Sequence, residues 1–357
     1  MTNLAVVGGG VIGLSTAWRA ARTGRKVTLY DPEPARGGAS WLAGGMLAPV
    51  TEAWPGEEDV LRLGEESLRR WPDFARDLRK EGFDPGLAEH GTLVVAFDSA
   101  DAGHLEILAR HLGEMGRTAE RLTGREAKRL EPGLGSVRSG LHVPGDLAVD
   151  NRKLLQALYA ACVHHHVRFR QERVEELPDA EAVVLAAGAW TGQLHPRLAG
   201  AVRPLKGEIL RLKPRHGCLP PPAHTVRAVV EGRPIYLVPR GDSELVLGAT
   251  QYEAGFDRAV TARGVRELLE GAERVFPAIT EYELTETAAG LRAGSRDALP
   301  YLGVLDDGVF AATGHHRNGL LMAPVTADAV VAWLEGEAPP AGTEAASPAR
   351  LHLKEHE

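Results

Sequence analysis

The chain has 357 residues, of which 44% are hydrophobic and 25% charged, and its formal net charge is −7. A chain of that length buries a large core and is expected to form two lobes, while its acidic balance argues against nucleic acid as the main partner. No stretch approaches the roughly 18–20 continuous apolar residues of a membrane span, and the first apolar run starts by Leu4 with no basic leader before it. Two cysteines, Cys162 and Cys218, make neither a disulfide framework nor a metal-ligand spacing. A cytoplasmic protein without a metal is expected.

The N-terminal thirty residues organise the rest. Residues 4–7 are apolar and predict a buried strand, a helical pattern runs over 11–22, and 26–30 predict a second strand that closes on Asp31. Between the first strand and the helix, Gly8, Gly10 and Gly13 stand at G-x-G-x-x-G spacing. Gly8 allows a tight turn, Gly10 lets backbone approach a pyrophosphate, and Gly13 lets helix and strand pack closely. The helix start offers free N–H groups and a positive dipole end to phosphate, and Asp31 can accept the hydroxyls of a ribose. Strand, glycines, helix, strand and terminal acid in that order point to a dinucleotide site rather than to a glycine-rich turn of another kind.

After a loop over 32–38, residues 39–49 are rich in small residues yet not polar, among them Ala39, Ser40, Gly44, Gly45 and Met46. Backbone of this kind suits contact with a flat, bulky ligand; in a mobile surface loop Trp41, Met46 and Leu47 would be poorly placed. A helical pattern over 57–79 is broken by Pro72. A strand follows at 91–96, then amphipathic helices near 102–115 and 124–130, a strand at 139–143, and a helix over 151–163 with Leu154, Leu155, Leu158 and Ala161 on one face. His164, His165 and His166 are adjacent, so they point in different directions and read as a solvated helix end rather than a metal site. Short buried strands at 167–169 and 182–186 come next. The second enters a small-residue turn at Gly188, a further backbone approach at the carboxyl ends of the same parallel sheet.

Residues 203–250 alternate between strands and turns in an antiparallel pattern, followed by a helix at 261–275 and a strand from 282 towards Arg292. The chain then returns with a strand at 309–313, a turn at 314–319 and a helix from about 320 to 334. The segment 336–357, rich in Ala, Pro and Glu, lacks periodicity and is expected to be mobile. The division expected is a nucleotide lobe from 1–80, 140–200 and 300–335, and an inserted substrate lobe from 81–139 and 201–299.

Glycine-rich contacts recur near residues 8, 44, 188 and 314, at both ends of the chain. That suits a long flavin dinucleotide held by discontinuous segments better than a nicotinamide held by one contiguous half. A last helix starting at Asn318, Gly319 and Leu320 could aim its positive dipole end at the flavin. At these residues the chain resembles the glutathione-reductase-type flavoproteins of the D-amino-acid oxidase superfamily, and within it the glycine oxidases of bacterial thiamine biosynthesis. Residues 7–18, 40–49, 235–240, 247–250, 290–303 and 313–324 carry the resemblance. The segments AGGMLAP and GHHRNGLLMAP are more discriminating than the glycine fingerprint.

The resemblance implies an α/β fold: a glutathione-reductase-type FAD-binding Rossmann lobe with an inserted antiparallel-sheet substrate lobe. It implies FAD, contacted by Val11, Ile12, Asp31, Pro32, Ala39, Ser40, Gly44, Gly45 and Met46, by Val174 on a strand beside the adenine, and by His315, His316, Arg317, Asn318, Gly319, Leu320 and Leu321. The FAD is expected to be non-covalent, because residues 288–313, where some related sarcosine oxidases tether flavin through a cysteine, hold none. It places the substrate carboxylate on Arg292 and Arg317 with Tyr236 nearby; arginine suits this, since its planar fork matches a carboxylate bidentately. Ala293 stands where the family often has proline, and Met322 is bulkier than expected, so the pocket's shape can differ. The implied reaction is oxidative deamination of glycine or another small amine such as sarcosine or a small D-amino acid. Hydride passes from substrate to flavin without a general base, and O2 is reduced to H2O2. A related dehydrogenase with a quinone or carrier as acceptor, and a silent flavin-binding module, are the competing readings. A homo-oligomer and hand-off of the imine to a thiazole synthase are the partner relations left open.

Overall fold

A computed structural model describes residues 3–352 except 53 and 307. The chain opens with strand β1 (Asn3–Val7), helix α1 (Val11–Arg22) and strand β2 (Lys26–Tyr30), as the fingerprint predicts. These belong to a six-stranded sheet ordered Tyr301–Asp306, Val309–Thr313, Ala182–Leu185, β1, β2, Arg168–Arg170. Its neighbours are parallel except for the edge strand Tyr301–Asp306. The central strand is sheathed on both faces, and Leu4, Ala5, Val6 and Val7 are all buried, which is why they read as a continuous apolar run rather than an alternation. Helix α1 covers one face with Leu14, Ala17 and Trp18 fully buried, and Trp18 meets Phe74 edge-on at 5.0 Å.

The glycines divide into two physical kinds. Gly8 has φ +113, and a Cβ there would collide with the Ala186 carbonyl; a Cβ on Gly13 would collide with the Gly8 carbonyl oxygen. Both are closed off by the protein's own backbone, as the fingerprint predicts for a turn and a helix–strand approach.

An eight-stranded sheet runs in the order Glu283–Gly294, Arg203–Lys213, Leu245–Gly248, Arg233–Pro239, Thr225–Val230, Thr92–Ala96, Ser139–Val143, Glu120–Thr123. It is antiparallel, as the alternation predicts, except that Thr225–Val230 and Thr92–Ala96 run parallel. Ser139–Val143 pairs on both sides within this sheet although it falls at the start of the segment drawn as nucleotide lobe. Helix Ala262–Val275 packs Leu268, Ala272 and Val275 onto the sheet's core, and Gly264, Leu268 and Gly271 of the same face border a cavity. A three-stranded sheet, Met46–Leu47, Leu147–Val149 and Leu87–Ala88, ties the 39–49 segment in place.

Four expectations differ from the structure. The helix Glu58–Lys80 runs straight through Pro72, because fully buried Trp71 and Phe74 anchor that turn on both sides of the lost hydrogen bond. Val174 is not on a strand: the strand beside β2 ends at Arg170, whose carbonyl accepts from Asp31 N at 3.0 Å, and the chain then leaves the sheet. The last helix is Ala323–Glu335, starting after a 3-10 turn at His316–Asn318, so its first turn lies beyond residues 318–320. The tail is docked through residue 352: Thr343 and Ala346 are buried, and Arg350 donates to Leu299 O at 2.8 Å and lies 4.0 Å over the Tyr301 ring. A handful of specific contacts at irregular spacing holds it, which periodicity does not register; residues 353–357 lie outside the described part.

Gly13→Val forces backbone apart at the α1–β1 crossing. Overpacking costs typically about 1–3 kcal/mol and more where backbone must move. The variant should lose most of its soluble yield and melt well below the wild type with or without added cofactor, as read by thermal denaturation.

Candidate active site

One face of the eight-stranded sheet builds the site's floor. Register places Arg227 opposite Tyr236, Tyr236 opposite Gly248, and Gly248 opposite Ile209, so these four share a face across four strands. Gly207, two residues from Ile209, pairs with Gly290, and Arg292 follows Gly290 on the same face. The glycines make room. A Cβ on Gly207 would strike the Arg292 guanidinium, and a Cβ on Gly248 the Tyr236 phenol. From above, Gly44 closes on the same ring, where a Cβ would come within 2.7 Å of Tyr236 Cε2.

The result is a cavity of about 1050 Å³ between the sheet and the 39–46 segment. Its wall includes Ala39, Ser40, Gly44, Gly45, Met46, Thr51, Glu52, Arg227, Tyr236, Arg292, His316, Arg317, Gly319 and Leu320. Segments far apart in sequence therefore meet here, as the glycine-rich pattern implies. His315, Asn318 and Leu321 face the core instead. His315 Nε2 shares a hydrogen bond of 3.0 Å with Thr326 Oγ1, and the Leu321 carbonyl accepts from Ser67 Oγ at 2.6 Å and Trp71 Nε1 at 2.9 Å. Met322 is fully buried in the core and Ala293 sits on the outer strand opposite Pro204, so neither departure reaches the cavity wall.

The fingerprint lies at the carboxyl edge of the six-stranded sheet and joins the cavity through Ser40, whose hydroxyl accepts from Val11 N at 3.1 Å. Gly10 caps α1 without any side-chain hydrogen bond, and a Cβ there would meet nothing nearer than Ser40 Oγ at 3.2 Å. Unlike Gly8 and Gly13, this glycine borders space the protein leaves open beside Ile12 at a helix N-terminus, which fits a pyrophosphate. Asp31 accepts from Gly9 N at 2.7 Å and Glu33 N at 2.8 Å, one bond on each oxygen, leaving lone pairs for a ribose. Burial raises its pKa despite those bonds. Pro32 is exposed beside it. Gly188 begins a 3-10 turn at the end of Ala182–Leu185, its carbonyl accepting from Thr191 Oγ1 at 2.8 Å.

The electrostatics single out one arginine. Arg317 Nε is 3.1 Å from Glu52 Oε2, and its Nη2 also meets Glu57. Burial opposes its charge, but the two carboxylates outweigh burial and hold its pKa above the ordinary arginine value. Arg292, by contrast, has no carboxylate partner among the described residues, and its one hydrogen bond is a 3.4 Å contact from Nη1 to Thr250 O. Burial raises the Tyr236 pKa while the Arg292 charge works against it, so the phenol stays protonated. Burial, followed by the charges of Arg317 and Arg292, pushes the His316 pKa down to about 4, so this imidazole is neutral near pH 7.

Several residues that sequence reading missed hold this arrangement. Arg240 Nη2 donates to Gly44 O at 2.7 Å, and Asn151 Nδ2 donates to Ser40 O at 2.9 Å and Trp41 O at 2.8 Å, so a buried network grips the 39–46 backbone. Arg211 joins it through Asn151 Oδ1 at 3.1 Å. Arg227 and Arg211 carried a readable signal: each is a charge inside an apolar strand. Glu52, one turn beyond the small-residue segment, carried none.

A Rossmann-type lobe with an open glycine cradle, joined to a cavity floored by a second sheet, defines a dinucleotide-dependent oxidoreductase. The chain belongs to the FAD dependent oxidoreductase family, which matches residues 3–333. It is similar to the glycine oxidase of Geobacillus kaustophilus, with 32% identity over 348 residues covering 91% of this chain and 90% of that protein. The crystal structure of glycine oxidase from the same organism superposes with a TM-score of 0.89 at 30% identity, covering 98% of this chain and 99% of that one. The bifunctional protein ThiO/ThiG of Trichormus variabilis is 32% identical over 346 residues, which cover 91% of this chain but 51% of that protein. Among the described residues no helix is long and apolar enough to cross a membrane.

The open cradle at Gly10 has a direct consequence. Gly10→Val should fold and melt, without cofactor, much closer to the wild type than Gly13→Val, because the nearest atom to its Cβ is the Ser40 hydroxyl at 3.2 Å, which can shift, and not backbone. It should nevertheless be purified colourless. Flavin content per protein, measured beside the apoprotein melting temperature, checks both halves.

Proposed function

We propose that the protein oxidatively deaminates glycine and other small amines such as sarcosine or small D-amino acids, with O2 as acceptor, releasing the 2-oxo acid, ammonia and H2O2. The observation that carries this reading is Arg292, an arginine without a carboxylate partner among the described residues, lying over bare glycine backbone in a cavity beside the FAD site. An unanswered guanidinium of that kind suits a substrate carboxylate.

FAD, when bound, supplies the acceptor for the electrons that leave the substrate's C–H bond. The residues of the chain bind and orient. Arg292 takes the carboxylate in a fork. Tyr236, a neutral phenol packed between Gly44 and Gly248, limits the substrate's position and can donate to it. Arg317, held by Glu52 and Glu57, shapes the cavity rim and offers no second free fork. No side chain is needed as a base if the amine binds neutral, and the neutral His316 imidazole adds no cation to the site beyond the arginines. The small-residue wall at 43–45, gripped from behind by buried Arg240, bounds that side of the cavity. The two-part relative of Trichormus variabilis supports a second proposal, that the imine formed from glycine passes to a thiazole synthase before it hydrolyses.

Arg292→Ala should raise the apparent KM for glycine by roughly two to four orders of magnitude, since breaking a desolvated charge pair costs about 3–5 kcal/mol and about 1.4 kcal/mol is tenfold. Flavin content should stay near wild type, and Arg292→Lys should recover part of the loss, keeping the charge without the fork. Steady-state kinetics with an unchanged KM in the alanine variant would place the carboxylate elsewhere. The flavin is proposed to be non-covalent: Cys162 is buried against Leu14 O and Cys218 lies by Glu281, both off the cavity wall. Acid precipitation should leave the yellow colour in the supernatant; colour retained in the pellet would contradict this.

A further inference from the structure

The charges around the Tyr236 phenol do not cancel one another evenly. Arg227 is the cross-strand neighbour of Tyr236 on the cavity floor, and its Nη1 is used by Thr51, donating to the carbonyl at 2.7 Å and to Oγ1 at 3.2 Å. Its Nη2 faces Glu52 Oε1 at 3.4 Å. The other oxygen of the same carboxylate takes Arg317 Nε at 3.1 Å. Glu52 thus bridges two guanidinium groups, with its side chain only 10% exposed. Arg240, the remaining arginine near the phenol, is turned onto Gly44 O and Asn151. Arg292 is the cation left over.

We propose that Glu52 determines specificity by occupying Arg227 and Arg317, so that the cavity accepts amino acids carrying one carboxylate and rejects those carrying two. The inference rests on the reading of Arg292 as the carboxylate anchor. A second carboxylate on the substrate would meet the Glu52 charge where it needs a cation, and the two guanidiniums that flank Glu52, those of Arg227 and Arg317, are already paired with it. Like-charge juxtaposition of this kind is a common way of excluding a near-cognate ligand. Removing the Glu52 charge frees Arg227 Nη2 and Arg317 Nε on the floor and rim of the same cavity. The exclusion then becomes an attraction.

The test uses holoenzyme and two matched ligand pairs. Butyrate and succinate have the same number of carbons, and their binding is read from the flavin absorption spectrum. Sarcosine and iminodiacetate differ by one carboxylate, and their turnover is read as H2O2. Wild type should bind succinate no tighter than butyrate, and Glu52→Gln should raise the succinate-to-butyrate affinity ratio about tenfold or more, the size of one gained charge-assisted contact. The iminodiacetate-to-sarcosine ratio of kcat/KM should rise with it, and adding Arg227→Gln to Glu52→Gln should remove most of the gain. Where Glu52→Gln yields no holoenzyme, Glu52→Asp serves, one methylene too short to span both guanidiniums, with a smaller rise in the same ratio expected. An unchanged ratio in a flavin-loaded variant, or a wild type that prefers succinate, overturns the proposal. A wild type that binds butyrate beside the flavin yet oxidises neither glycine nor sarcosine overturns the oxidase reading alone, and the binding ratio still decides the role of Glu52.

Discussion

An arginine lying on backbone that has no side chains is the constraint the substrate cavity depends on. Arg292 folds over Gly207, and Tyr236 is clamped between Gly44 and Gly248. A methyl group at any of these glycines would displace the very groups that shape the floor. Among the described residues Arg292 has no carboxylate partner, whereas Arg227 and Arg317 are held by Glu52, Arg317 also by Glu57, and Arg240 by the Gly44 carbonyl. Stability and recognition are thus separated: the neutralised groups hold the walls, and the unneutralised one faces the ligand.

The same separation runs through the glycine fingerprint. Gly8 and Gly13 are closed by protein backbone, whereas Gly10 opens on space. Three glycines that look alike as a motif have two different physical duties, and their substitution has two different consequences, one for folding and one for ligand capture. The sequence pattern alone states the spacing; which atoms crowd each Cα is a tertiary fact.

What was legible in the sequence was local. The β1–α1–β2 unit could be read because an apolar run, a glycine turn and a helix period lie within thirty residues, and Asp31 marks its end. The antiparallel alternation of 203–250 was readable for the same reason. Arg292 and Tyr236 could be pointed to only through a motif resemblance, since nothing in their neighbours announces that Arg227, Tyr236 and Gly248 line up across three strands. Glu52 was invisible because its partners lie 175 and 265 residues away, and pairing over such distances leaves no periodic trace. Pro72 misled in the opposite direction: a local rule predicts a break, and the buried aromatic rings around it override the rule. Irregular tail contacts such as Arg350 on Tyr301 belong to the same class.

The strand Val309–Thr313 sits inside the six-stranded sheet, between the edge strand and Ala182–Leu185, and not at its border. The nucleotide lobe begins with the first strand of the chain and is completed by the last. During synthesis the N-terminal unit therefore waits, with an apolar sheet edge exposed, until more than three hundred residues have emerged and the final strand can add itself. The turn that adds His316, Arg317, Gly319 and Leu320 to the cavity wall follows this strand directly, so the wall is complete only after that event. The timing of maturation is written into the topology: a ribosome that stalls before the last strand leaves a chain with its fingerprint made and its cavity wall unfinished.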